Sequence, residues 1–117
     1  MRHRYGNKKL GKPTDQRMAL LKSLVRSLVI SGRIQTTKTR AKATQPVIDR
    51  LIALGKKGDL ASRREALKIL PQPEIVKEIF SSIAEKNKER NGGFTRIIPL
   101  GLRRGDASQM SILEFVE

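Results

Sequence analysis

Few side chains here combine the type and spacing that catalysis needs. Gly6-Asn7-Lys8-Lys9-Leu10-Gly11-Lys12-Pro13 approaches the phosphate-binding loop. That loop requires Ser or Thr after its lysine to hold magnesium, and a preceding strand to aim it at a helix N-terminus. In this chain Pro13 follows the lysine and only five residues precede Gly6, which argues against nucleotide hydrolysis. Lys8, Lys9 and Lys12 then read as independent phosphate contacts. His3 has no cysteine to partner and no fixed carboxylate to orient it, so it does not read as a general base. Base stacking, a hydrogen bond to RNA and idle exposure all remain open to it. Glu85 and Glu89 stand one helical turn apart, as paired acids or metal ligands would. With Lys86 and Lys88 interleaved they read as a solvated helix face, and no metal or other cofactor is expected.

What the chain does carry is positive charge. There are 25 Lys and Arg against 11 Asp and Glu, a formal net charge of +14. Residues 1–68 hold 18 basic and 4 acidic side chains, whereas residues 69–117 hold 7 of each. A molecule polarised in this way presents one face to a polyanion and leaves another for solvent or protein neighbours. Residues 1–13 concentrate the bias: Arg2, Arg4, Lys8, Lys9 and Lys12 occur with no carboxylate and almost nothing apolar. Such a segment has too little apolar surface to offset the entropy of ordering, so it reads as a basic arm, disordered when free and fixed against a polyanion.

Residues 14–117 must position this charge, and they read as one domain, since single domains run to about 100–150 residues. Thr14 or Asp15 can cap a helix that runs to Ser31 and stops at Gly32. Met18, Leu21, Val25 and Leu28, joined by Leu24, form its apolar face, and Arg17, Lys22 and Arg26 fall mostly elsewhere on the wheel. Arg33 to Thr37 reads as a short strand. Helical period returns from Lys38 to the Gly55-Lys56-Lys57-Gly58 stop, with Pro46 predicting a kink or a true start nearer Thr44. Asp59 caps a third helix reaching Leu70. The Pro71-Gln72-Pro73 corner leads to a fourth helix that turns Ile75, Val76, Ile79, Phe80 and Ile83 inward. Gly92-Gly93 then reverses the chain into a strand from Phe94 to Leu100. After the Arg103-Arg104-Gly105-Asp106 turn, a returning strand spans Met110 to Val116. Two strands alone are only marginally stable, so the hairpin needs the Ile34 strand or a helix layer against it. The class is α+β, in the order helix, strand, three helices, two strands.

Among nucleic-acid modes, sheet readers stack bases on exposed aromatic rings. Here Phe80 and Phe115 fall on apolar stripes, and Tyr5 alone is a plausible stacker, so affinity must come mainly from Lys and Arg on phosphates. A free DNA-binding or nucleoid-associated module is the alternative. A helix-turn-helix needs a tight turn between two helices. The first two helices are separated by a strand, and the helix after the proline corner is acidic at Glu74, Glu78 and Glu85. A small RNA-modifying enzyme lacks any acid, base or metal cluster at workable spacing. No cysteine is present, no apolar run approaches the roughly 18 residues of a membrane span, and the N-terminus lacks the apolar stretch of a signal peptide. The chain reads as cytosolic, with no membrane and no small-molecule substrate among its partners.

Met1-Arg2-His3-Arg4, Arg33-Ile34 with Thr36-Thr37, Leu51-Ile52-Ala53-Leu54, Gly92-Gly93-Phe94-Thr95-Arg96-Ile97 and Arg104-Gly105-Asp106-Ala107 together resemble the bacterial large-subunit ribosomal protein seventeen family. The likeness spans nearly the whole chain in order and spacing. It implies a structural protein without enzymatic activity that binds 23S ribosomal RNA near the exit of the peptide tunnel, beside other ribosomal proteins. It also implies two layers, helices packed on a small mixed three-stranded sheet. Family members commonly have tyrosine where this chain has Phe94, which leaves no hydroxyl there for an RNA contact. The expected contacts are Arg2, His3, Arg4, Tyr5, Lys8, Lys9 and Lys12 in the arm, supported by Arg17, Arg33, Lys38, Arg40 and Lys42. Arg96, Arg103 and Arg104 are expected as a second cluster at the hairpin.

Overall fold

The structure, a computed structural model, describes residues 14–116. Helix α1 (Thr14–Ser31) ends at Gly32, whose φ of +83° is open to glycine and whose N–H closes the last turn onto Leu28 O at 2.7 Å. Strand β1 (Arg33–Thr37) follows at once and leads directly into α2 (Lys38–Lys57). Thr37 has extended backbone and its hydroxyl accepts from Arg40 N at 3.4 Å, a side-chain cap that starts the helix at Lys38. The later start expected near Thr44 is therefore not taken. Ala41 and Thr44 are fully buried on this first stretch, so packing holds the helix through Pro46. The proline leaves Lys42 O without its helical N–H.

Asp59 caps α3 (Leu60–Ile69) by accepting from Ser62 N at 2.7 Å, and that hydrogen bond holds its carboxyl below the usual range. After the corner, Pro73 occupies the first turn of the fourth helix, where its missing N–H costs nothing. This helix runs as Pro73–Glu78 in α geometry, a π-helical stretch Ile79–Ile83, and a last α turn Ala84–Lys86. Gly55 of α2 lies against the wider stretch. A β-carbon at Gly55 would stand 3.3 Å from Ile79 O and 3.4 Å from Ala84 Cβ, so the lack of a side chain lets the two helices approach.

Strands β2 (Thr95–Leu102) and β3 (Gln109–Phe115) form the hairpin, and the sheet order is β1-β3-β2. Both pairings are antiparallel, with Arg33 opposite Glu114 on one side and Arg96 opposite Glu114 on the other. The expected mixed sheet is corrected here. Strands β1 and β2 run the same way, so a parallel pair would have needed β1 beside β2, and β1 takes the free edge of β3 instead. Ile34, Thr36, Ser111, Leu113 and Ile97 share the face covered by helices, with Leu113 fully buried at its centre. The opposite face carries Arg33, Gln35, Arg96, Ile98, Ile112 and Glu114, and no helix or strand among the described residues covers it.

Val25, Leu28, Ile48, Leu51, Ile52, Val76 and Ile79 fill the space between helices and sheet, and burying each side chain contributes about 1.5–3 kcal/mol. Leu21 belongs to this core but Met18 does not. It is 41% exposed, because the N-terminal turns of α1 extend past the layer that the rest of the helix packs against. Among the described residues no helix is long and apolar enough to cross a membrane.

Candidate nucleic-acid interface

Each expected contact within the described residues has a definite place. Arg33 begins β1 and Arg96 is the second residue of β2, so register puts both beside Glu114 at one end of the open sheet face. Arg96 Nη2 donates to Glu114 Oε2 at 3.0 Å, and Arg33 Nη2 lies 3.9 Å from Oε1. Strand β2 is anchored just before Arg96. Thr95 is buried, its carbonyl accepts from Gln45 Nε2 at 3.1 Å, and its hydroxyl donates to Asp49 Oδ1 at 3.3 Å. Burial pushes the Asp49 carboxyl up, with the Thr95 hydroxyl pulling the other way. Helix α2 thus fixes where the Arg96 backbone sits.

Lys38, Arg40 and Lys42 occupy the first turns of α2, which hold no acidic residue. Cations there face the positive end of the helix macrodipole, a placement unfavourable by about 0.3–1 kcal/mol each until an anion arrives. Lys38 also flanks a small apolar pocket of 260 Å³ formed by Pro99, Leu102 and Met110 near the hairpin tip. Arg17 is half-buried near the start of α1. Arg2, His3, Arg4, Tyr5, Lys8, Lys9 and Lys12 lie outside the described residues.

The expected cluster of Arg96 with Arg103 and Arg104 is not formed. Arg96 pairs across from Glu114, whereas Leu102, the residue before Arg103, pairs with Gln109 at the far end of the same ladder. At about 3.3 Å per residue, strand β2 holds the two groups roughly 20 Å apart. Arg103 is also engaged in the turn itself. Its Nε donates to Asp106 Oδ1 at 3.1 Å and its Nη2 to Oδ2, while Oδ1 also accepts from Ser108 N at 3.1 Å. These donors hold the Asp106 carboxyl well below the usual range. Arg104 is exposed, and no carboxylate among the described residues pairs with it.

A groove of 890 Å³ opens beside the Arg33 and Arg96 end of the sheet, closed on its other side by the fourth helix through Ser82, Lys86 and Asn87. Asn87 is 3% exposed. Its Nδ2 donates to Ile83 O at 2.8 Å, and its Oδ1 has no partner among the described residues. Glu114, Lys86 and Asn87 were not among the residues expected from sequence. The alternation of β3 marks Glu114 as outward-facing, but only the pairing of three strands distant in sequence shows that two arginines flank it. Among the described residues no three His, Cys, Asp or Glu side chains gather as a metal site, and Glu85 and Glu89 stay on an exposed helix end and its following turn.

Residues 20–116 match the family model described as Ribosomal protein L17. The chain belongs to the ribosomal protein L17 family. It is 53% identical over 111 residues to the large ribosomal subunit protein bL17 of Clostridium tetani, covering 95% of this chain and 98% of the relative. The bL17 proteins of Clostridium beijerinckii and Clostridium acetobutylicum are 51% and 49% identical over the same 111-residue length, with 98% and 97% of those chains covered. The L17 family is one of ribosomal proteins, not of enzymes. Within its pattern, Phe94 has a clear place in this chain. The ring is 3% exposed, with the Lys56 ammonium 5.2 Å from its centroid and Lys56 Nζ donating to Arg90 O. Phe94 therefore anchors the chain reversal to the core; RNA cannot reach it.

Proposed function

We propose that this chain is a structural constituent of the bacterial large ribosomal subunit that binds 23S ribosomal RNA through its basic arm and one basic face. It supports subunit assembly and translation in the cytoplasm, with other large-subunit proteins as neighbours and no catalytic step of its own. One observation carries the reading. Among the described residues only Arg33, Arg50, Arg96 and Arg103 form ion pairs with carboxylates. Most of the other described lysines and arginines are left for an external anion, including the three at the start of α2, where the helix itself favours one.

Phosphate is the anion that matches so many dispersed cations. Each one neutralised releases counterions, so binding weakens steeply as salt rises. The absence of any exposed aromatic ladder among the described residues favours backbone and shape recognition over base stacking. Lys8, Lys9 and Lys12, with Arg2, Arg4, His3 and Tyr5, add the arm's contacts, and placement near the peptide exit rests on the family resemblance. Sedimentation of a cell lysate through a sucrose gradient tests the role. The chain should travel with the large subunit and remain there in moderate salt. A pool that stays at the top of the gradient at low salt would overturn the structural role in favour of a free nucleic-acid-binding protein.

A further inference from the structure

Glu114 is an oddity on a surface meant for phosphates, because its charge repels the ligand the surface attracts. It stands on the central strand between Arg33 and Arg96, one carboxylate oxygen toward each guanidinium. Its side chain is 17% exposed, whereas those of Arg33 and Arg96 are 61% and 55% exposed. The acid is therefore tucked in and the two cations project. Each guanidinium carries five N–H donors in a rigid fork; the hydrogen bond to Glu114 occupies one Nη of Arg96, and Arg33 pairs with the carboxylate at 3.9 Å through charge alone. Both arginines line the 890 Å³ groove, across which Lys86 adds a third cation and Glu78 a carboxylate, so the lining holds three cations against two acids. A ribose-phosphate strand offers phosphates for these cations.

We propose that Glu114 is a positioning residue that holds Arg33 and Arg96 as a two-guanidinium clamp for phosphates of an RNA strand lying in this groove. The inference rests on the RNA-binding reading and names the site of contact. Strand spacing places the two arginine α-carbons about 10 Å apart. Without the carboxylate between them both side chains would sample many rotamers, and the entropy of fixing them would be lost from binding.

The sign of one substitution separates positioning from plain electrostatics. In filter binding of the full chain to deproteinised large-subunit ribosomal RNA, Glu114→Gln should weaken affinity about threefold or more although it removes a negative charge. In an Arg33→Gln, Arg96→Gln background the same change should no longer weaken binding, because the residues it positions are gone. Arg33→Lys and Arg96→Lys, which keep the charge and remove the fork, should each weaken binding as well. If Glu114→Gln tightens binding or leaves it unchanged, Glu114 acts only as a local repulsion and the clamp is overturned. Should that variant unfold in a thermal melt, the lysine variants decide, and wild-type affinity in both sinks the proposal. A wild-type chain that does not bind this RNA at all would bring down the RNA-binding reading itself, and the clamp with it.

Discussion

Asp49 sits where α2 meets the start of β2, and its surroundings work against its charge. Burial raises its pKa and the Thr95 hydroxyl only partly offsets this. A carboxyl whose folded pKa lies above its unfolded one binds its proton more readily when folded. Its contribution to stability is then lost as pH rises through that window, and the cost is fully present at neutral pH. Asn at this position keeps an oxygen to accept from Thr95 and carries no charge. Asp49→Asn should raise the melting temperature by a few degrees at pH 7, with the gain vanishing near pH 3, as calorimetry at the two pH values would show. Asp59 and Asp106 have the opposite sign. Their hydrogen bonds hold both carboxyls low, so the stability they supply at neutral pH is lost on acidification. Comparing the variant with the parent at each pH cancels that shared loss and isolates Asp49.

At the scale of elements, α2 contains its own test of how much packing can override propensity. Pro46 is exposed inside the helix and removes the N–H that Lys42 O would accept. Pro46→Ala restores that bond without taking away buried surface. It should stabilise the fold by up to about 3 kcal/mol, measurable by denaturant unfolding, with no change in RNA affinity. The borders of α1, β1 and α3 were legible in the sequence because their causes are local: Gly32 ends one helix and Asp59 caps another, whereas the Thr37 cap that starts α2 was not read from the sequence. The sheet's antiparallel character and the separation of Arg96 from Arg103 were not legible. Both depend on which edge of β3 the distant β1 takes and on the hairpin's register, and nothing near those residues in sequence records either. The π-helical stretch had no local signal; in the fold it lies against Gly55, distant in sequence.

For the whole molecule, the decisive property is how charge is divided between arm and body. Deleting residues 2–12 should leave the helix and sheet content unchanged by circular dichroism, because the core cluster running from Val25 to Leu113 is untouched by it. Incorporation into large subunits should fall at the same time, read as occupancy on purified particles, and full occupancy of the truncated chain would contradict the arm's role. The +14 charge pointed to a polyanionic partner, whereas the Glu114 site needed the folded sheet. Among the described residues that sheet is covered on one face only. Ile98, Met110 and Ile112 lie half-exposed on the other, with Leu100 and Leu102 exposed along the hairpin. In the free chain these surfaces would favour contact between copies, and the net positive charge opposes it. On the proposed RNA-binding role, salt concentrated enough to strip the chain from RNA also shortens the screening length below about 8 Å. The extraction that frees the protein thereby removes the repulsion that keeps it dispersed.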